Sequence, residues 1–133
     1  LSRRQRQMCI RDRDETVKNQ LEILGTLDNV TRKHSENVAN LVCRICEYLH
    51  CKKDFTAYCT ICAYLHDIGK LMIPSSILQK PAKLTDEEYE IMKKHTIYGY
   101  EICMKDKNLK PYSAGALYHH EALNGSRIPL SVF

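Results

Sequence analysis

His66 and Asp67 stand side by side where an apolar run ends in "YLHDIGKLMIP", residues 64–74, and Lys70 follows three residues after the aspartate. A neutral imidazole gives one lone pair to a divalent ion, whereas a carboxylate can give one oxygen to each of two ions. Four further histidines, His34, His95, His119 and His120, fall on inner faces or at ends of other expected helices. Burying five imidazoles without partners would cost several kcal/mol in uncompensated desolvation, so a single shared partner is the simpler account. A metal cluster would satisfy all five, with Asp67 as the natural bridge. Ions held about 3.5–4 Å apart activate water near neutral pH and neutralise phosphate oxygens in a transition state, which is the chemistry of phosphoester hydrolysis. Lys70, one turn after His66, is placed to hold a non-bridging phosphate oxygen as a compact point charge. A solvated lysine after a helix-ending glycine explains its spacing equally well. His50, between Leu49 and Cys51, is given no role.

The elements that must position these groups are read from helical periodicity. Val17, Leu21, Leu24 and Leu27 recur at four- and three-residue steps and predict a helix over about 14–28. A second stripe comprises His34, Val38, Leu41, Ile45 and Leu49, which places His34 on the apolar side. A third runs through Phe55, Cys59 and Cys62 to His66. The segment "GKLMIPSSILQKP" is irregular, punctuated by Gly69, Pro74 and Pro81. Thr85 and Glu88 read as a capping box for a helix that carries Tyr89, Met92, His95, Gly99 and Cys103 on one side, and Gly99 is expected to admit a close neighbour. Pro111 starts a last helix through Ala114, Leu117 and Tyr118 to His119 and His120, before Asn124-Gly125 turns the chain. No strand-like alternation competes, so the expected fold class is all-α, a bundle of about five main helices.

The inventory narrows the partners. A chain of 133 residues with 44% hydrophobic content suits one domain with one core. The formal charge of +4 would invite a nucleic-acid reading, but residues 1–13 hold five Arg and one Asp, and the rest balances fifteen basic with fifteen acidic residues. No nucleic-acid polymer is expected as a partner. Neither a run of eighteen apolar residues nor a secretory leader is visible, so no membrane segment is expected. Residues 1–13 resemble translated adapter sequence and are set aside as a non-native or disordered tail. Two Cys-x-x-Cys pairs, Cys43/Cys46 and Cys59/Cys62, have respectable zinc spacing, yet Leu41 to Leu65 contains no Gly or Pro to bend a knuckle. Core packing on helices is the better expectation. Seven cysteines, an odd number with mostly apolar flanks, point to a reducing cytoplasm.

The ordered motifs resemble the HD-GYP domain, a branch of the HD metal-dependent phosphohydrolase superfamily that hydrolyses cyclic di-GMP. They are Thr31 with His34, "HDIGK" at 66–70, "IP" at 73–74, "IL.KP" at 77–81, "LT..E" at 84–88, "M..H...G" at 92–99, "HHE" at 119–121 and "NGS" at 124–126. The resemblance runs from about Asp14 to Gly125 and implies a domain over 14–126. It further implies two divalent transition-metal ions, with iron or manganese favoured over zinc or others. His34 and His66 would hold one ion, His95, His119 and His120 the other, with Asp67 bridging and Lys70 on the phosphate. Val30 stands where some members carry a glutamate for a third ion. Arg127-Ile128-Pro129 replaces Gly-Tyr-Pro, and the further helices that supply another aspartate are not present in residues 127–133. Truncation, a reading-frame slip and true degeneracy all remain open, and this stretch alone is expected to be inactive or weakly active. Three functions follow from the resemblance: a cyclic di-GMP phosphodiesterase giving the linear dinucleotide and GMP, a non-catalytic sensor or interaction module, and a phosphohydrolase for another nucleotide. A fused upstream sensor domain or a homodimer is compatible with each.

Overall fold

The structure is a computed structural model that describes residues 28–122 together with Asn19, Glu22 and Asn124. The helix expected over 14–28 is described only at Asn19 and Glu22, both helical, and at Asp28; both tails and Gly125 lie outside the described residues. Everything described is helical or loop, in agreement with the all-α expectation. The chain divides into two compact units that meet at the Leu65–His66 peptide bond.

The first unit contains α1 (Asn29–Tyr48) and α2 (Lys53–Leu65). Asp28 caps α1 by accepting from the Val30 amide at 2.9 Å, and the Thr31 hydroxyl donates to the same carboxylate. At the other end His50 takes a left-handed backbone, φ 55°. Its amide reaches Glu47 O at 3.0 Å while the Cys51 amide reaches Cys46 O at 2.9 Å, so two carbonyls that the helix leaves open are satisfied. The two helices pack through Ala39, Ala63 and Tyr64, flanked by Val38 and Val42.

The buried faces differ in register from those expected. On α1 the buried residues are Thr31, Ser35, Ala39, Cys43 and Cys46, whereas Leu41, Ile45 and Leu49 are 49–64% exposed and His34 is exposed. Small side chains at four- and three-residue steps let the helix axes come close, and that contact excludes the larger residues beside it. On α2 the buried set is Thr56, Thr60, Ile61, Ala63, Tyr64 and Leu65; Phe55 is exposed, Cys59 and Cys62 are half-buried, and the helix stops before His66.

The second unit begins with His66 and Asp67, which lead into a 3-10 turn, Ile68–Met72, and then α3 (Ser75–Leu78). The expected capping box is present on α4 (Asp86–Lys93): the Glu88 amide donates to Thr85 Oγ1 at 3.2 Å and the Thr85 amide to Glu88 Oε2 at 2.8 Å. The same Glu88 oxygen accepts from Lys80 Nζ at 2.6 Å and ties down the loop before the helix. The single helix expected through Tyr89 and Cys103 is instead two, because α5 (His95–Lys105) starts anew after Lys94. The reason is local: the His95 ring and the Thr96 hydroxyl bond the carbonyls of Met92 and Lys93, and such side-chain bonds compete with the helical ladder. Tyr89 is correspondingly exposed. Pro111 lies in a 3-10 turn, Lys110–Tyr112, and α6 covers only Ser113–Tyr118, leaving His119 and His120 just past its end. Ile68, Cys103, Leu109, Ala116 and Leu117 are at most 1% exposed and form the core of this unit. Burying each of the larger apolar side chains stabilises the unit by roughly 1.5–3 kcal/mol.

Candidate metal centre

Two glycines set how closely the 3-10 turn approaches α5. A Cβ built on Gly69 would overlap the His95 carbonyl oxygen and the Gly99 amide nitrogen, both backbone atoms that cannot swing aside. A Cβ on Gly99 would meet Ala116 Cβ at 3.1 Å and the Gly69 nitrogen at 3.3 Å. The expected close neighbour of Gly99 is therefore the turn carrying Asp67 and Lys70, together with α6. This contact brings the start of the turn, the first residue of α5 and the end of α6 to one place.

Four histidines meet there. The ring centroids of His66 and His119 are 5.0 Å apart, those of His95 and His119 5.2 Å, His95 and His120 5.2 Å, and His119 and His120 4.1 Å. Candidate ligand atoms of His95, His119 and His120 all lie within 4.8 Å of one another. Asp67, with a side chain only 5% exposed, sits among them with its two oxygens divided. Oδ1 is 3.4 Å from His95 Nε2 and 3.6 Å from His119 Nε2, while Oδ2 is 3.3 Å from His66 Nε2 and 2.8 Å from Lys70 Nζ. Burial pushes the Asp67 carboxyl up, but the imidazoles of His119, His66 and His95 beside it outweigh that and hold the group well below the usual carboxylate range. Burial and the neighbouring His119 and His95 rings push His120 down to about 4, so its imidazole is neutral at pH 7 and its lone pair is free to bind an ion.

The donor chemistry fits divalent metal. His95 Nδ1 lies 2.8 Å from Met92 O and His119 Nδ1 lies 2.9 Å from Ala116 O. A carbonyl oxygen can only accept, so both Nδ1 atoms carry a proton, and the nitrogen that each ring can offer to an ion is Nε2. Those two Nε2 atoms are 3.1 Å apart. Lone pairs at that distance repel unless a cation or a proton lies between them, and the adjoining carboxylate oxygen completes an oxygen-nitrogen set suited to a divalent ion.

Of the residues singled out in the sequence, His66, Asp67, Lys70, His95, His119 and His120 are brought together in the second unit. His34 belongs to the first unit, on α1. His50 is exposed. The sequence did not reveal the carbonyls of Met92 and Ala116, each three residues before the histidine it orients, nor the pairing of Lys70 with Asp67. An i, i+3 spacing was the one available signal for that pair. Among the described residues, the groups with metal-binding spacing are made of His and Asp. Burial, then the adjacent Cys59, push the Cys46 thiol up and away from the thiolate a zinc site needs.

The HD domain family pattern matches residues 9–132. A protein named cyclic di-GMP phosphodiesterase from Thermotoga maritima is 43% identical over 115 residues, covering 82% of this chain and 31% of that protein. A cyclic di-GMP phosphodiesterase response regulator from Xanthomonas campestris pv. campestris is 32% identical over 117 residues, covering 86% of this chain and 31% of its own length. A 3'3'-cGAMP-specific phosphodiesterase from Vibrio cholerae is 35% identical over 111 residues, covering 84% of this chain and 24% of its own length. The chain thus spans a third or less of each of these relatives.

Proposed function

Because the chain belongs to the HD domain family, as a domain of HD-GYP type, we propose that it is the hydrolytic domain of a metal-dependent phosphodiesterase that opens cyclic di-GMP to the linear dinucleotide and carries it on to GMP. The observation that carries this reading is the division of the Asp67 carboxylate, one oxygen toward His95 and His119 and the other toward His66. A carboxylate so placed can serve two ions at once. His95, His119 and His120 would hold the ion on the Oδ1 side; His66 would hold the one on the Oδ2 side. His34 is added to the latter from the motif order alone. Iron or manganese is the proposed metal, and when bound the pair supplies an activated water and charge neutralisation at the phosphate.

The chain's own residues do the rest. Met92 O and Ala116 O fix the tautomers of His95 and His119, so that the ligand nitrogens need no reorganisation. Lys70 has three N–H donors and spends one on Asp67, which leaves two for a non-bridging phosphate oxygen. The surrounding imidazoles favour the ionised form of Asp67.

The cytoplasm is the proposed compartment, in keeping with an odd number of cysteines, seven, with mostly apolar flanks. No helix among the described residues is long and apolar enough to cross a membrane. A second substrate, 3'3'-cGAMP, is favoured by the Vibrio cholerae relative's name and belongs in the same assay. Carried in a protein of its relatives' length and loaded with manganese or iron, the domain is expected to convert cyclic di-GMP to the linear dinucleotide, read by chromatography of the products. Turnover of 3'3'-cGAMP alone would reassign the substrate. Turnover of neither would leave the sensor module, to which the altered residues 127–129 also point.

A further inference from the structure

Lys70 stands at 2.8 Å from Asp67 Oδ2, and His66 Nε2 faces the same oxygen at 3.3 Å. The other oxygen, Oδ1, faces the imidazoles of His95 and His119. The ammonium of Lys70 thus stands on the Oδ2 side of the carboxylate. We propose that Lys70 sets the order and the strength of metal loading: by sharing Asp67 Oδ2 it weakens the ion on the His66 side and leaves the ion on the His95, His119 and His120 side as the tight, first-filled one. The inference rests on the two-ion reading above and concerns what a residue of this chain does to it.

Three features support the asymmetry. The Asp67 side chain is only 5% exposed, so the charge beside it is poorly screened, and Lys70 is itself only 24% exposed. The ammonium is held by geometry, not by chance: the 3-10 turn begins at Asp67 and its three-residue period returns Lys70 above it, with the Lys70 amide donating to Asp67 O at 3.0 Å. Gly69 anchors that turn against α5, because any side chain there would strike the His95 carbonyl. A carboxylate oxygen has two lone pairs, so the ammonium and an ion can share it, but each lowers what the oxygen offers the other. Even at the screening of bulk water, a unit charge a few ångströms from a divalent ion changes its binding constant roughly tenfold or more. Lys70 acts here through Asp67 and is, in this respect, a positioning residue.

The test is calorimetric titration of the 133-residue chain with manganese alone. Wild type should show two sites of unequal affinity. Lys70→Met, or Lys70→Gln as a polar neutral alternative, should tighten the weaker site roughly tenfold and move the stronger one less than about threefold. Lys70→Arg, which keeps the charge, should restore the wild-type gap. In a His66→Ala background the weaker site should be lost, and Lys70→Met should move the remaining one less than about threefold. Two sites in wild type that Lys70→Met leaves unchanged, or a weaker site that loosens further, would overturn the inference and leave the two-ion reading standing. A wild-type chain that binds one ion or none overturns the two-ion reading and the inference with it.

Discussion

Asp67 concentrates most of the chemistry in a single side chain, and what surrounds it separates two kinds of residue. His66, His95 and His119 face it with nitrogens that can bind an ion, whereas Lys70 faces it with a group that cannot. These types were legible in the sequence because imidazole and carboxylate are rare in cores and costly there without a partner. Their orientation was not, because a carbonyl three residues back is available to any side chain near a helix end, and only the fold says that His95 and His119 both use one. The distinction gives a measurable consequence. Lys70→Ala should keep the metal content of the protein while lowering kcat on cyclic di-GMP by about 10²–10³-fold, as expected for loss of a charge that acts mainly on the transition state. Metal analysis beside steady-state kinetics checks it; loss of metal together with activity would assign Lys70 to the binding of ions instead.

At the level of elements, the close approach of the Asp67 turn to α5 is what gathers the site, and it depends on two glycines in different ways. Gly69→Ala places a methyl group on backbone atoms of His95 and Gly99, so it should cost about 1–3 kcal/mol or more, as overpacking does. Gly99→Ala meets Ala116 Cβ and the Gly69 nitrogen at 3.1–3.3 Å, a contact that small shifts relieve, and should cost less. Urea unfolding of both variants checks the order; equal stabilities would mean that the approach is looser than described. Helix existence and the capping box were legible from periodicity and from Thr85 with Glu88. The buried registers of α1 and α2 were not, since a search for apolar stripes selects Leu41, Ile45 and Phe55, whereas closely packed axes select Ala39, Cys43 and Thr60. The cysteines follow the same logic. Replacing Cys43, Cys46, Cys59 and Cys62 together by Ala should lower stability, by on the order of 1 kcal/mol for each buried thiol, and leave metal content unchanged in elemental analysis. A lost zinc equivalent would restore the knuckle.

For the whole molecule, the ordered set from Thr31 to "HHE" carried more than any single motif. "HDIGK" alone marks the superfamily, whereas its combination with His95 and His119-His120 reaches the HD-GYP type, and the family pattern over 9–132 agrees. What order along the chain could not convey is that residues up to 53 positions apart meet around one carboxylate, because that contact is made by the packing of a turn, α5 and α6 and has no local periodicity. The account's central claim is that this carboxylate joins two ions. Its most direct test is the number of manganese or iron ions per chain, counted by elemental analysis after loading and desalting, in wild type and in Asp67→Asn. The predicted result is about two ions in wild type and fewer than one in the variant, because a neutral amide is a weak ligand that cannot bridge two cations. Asp67→Asn protein that is folded and retains both ions would contradict the claim.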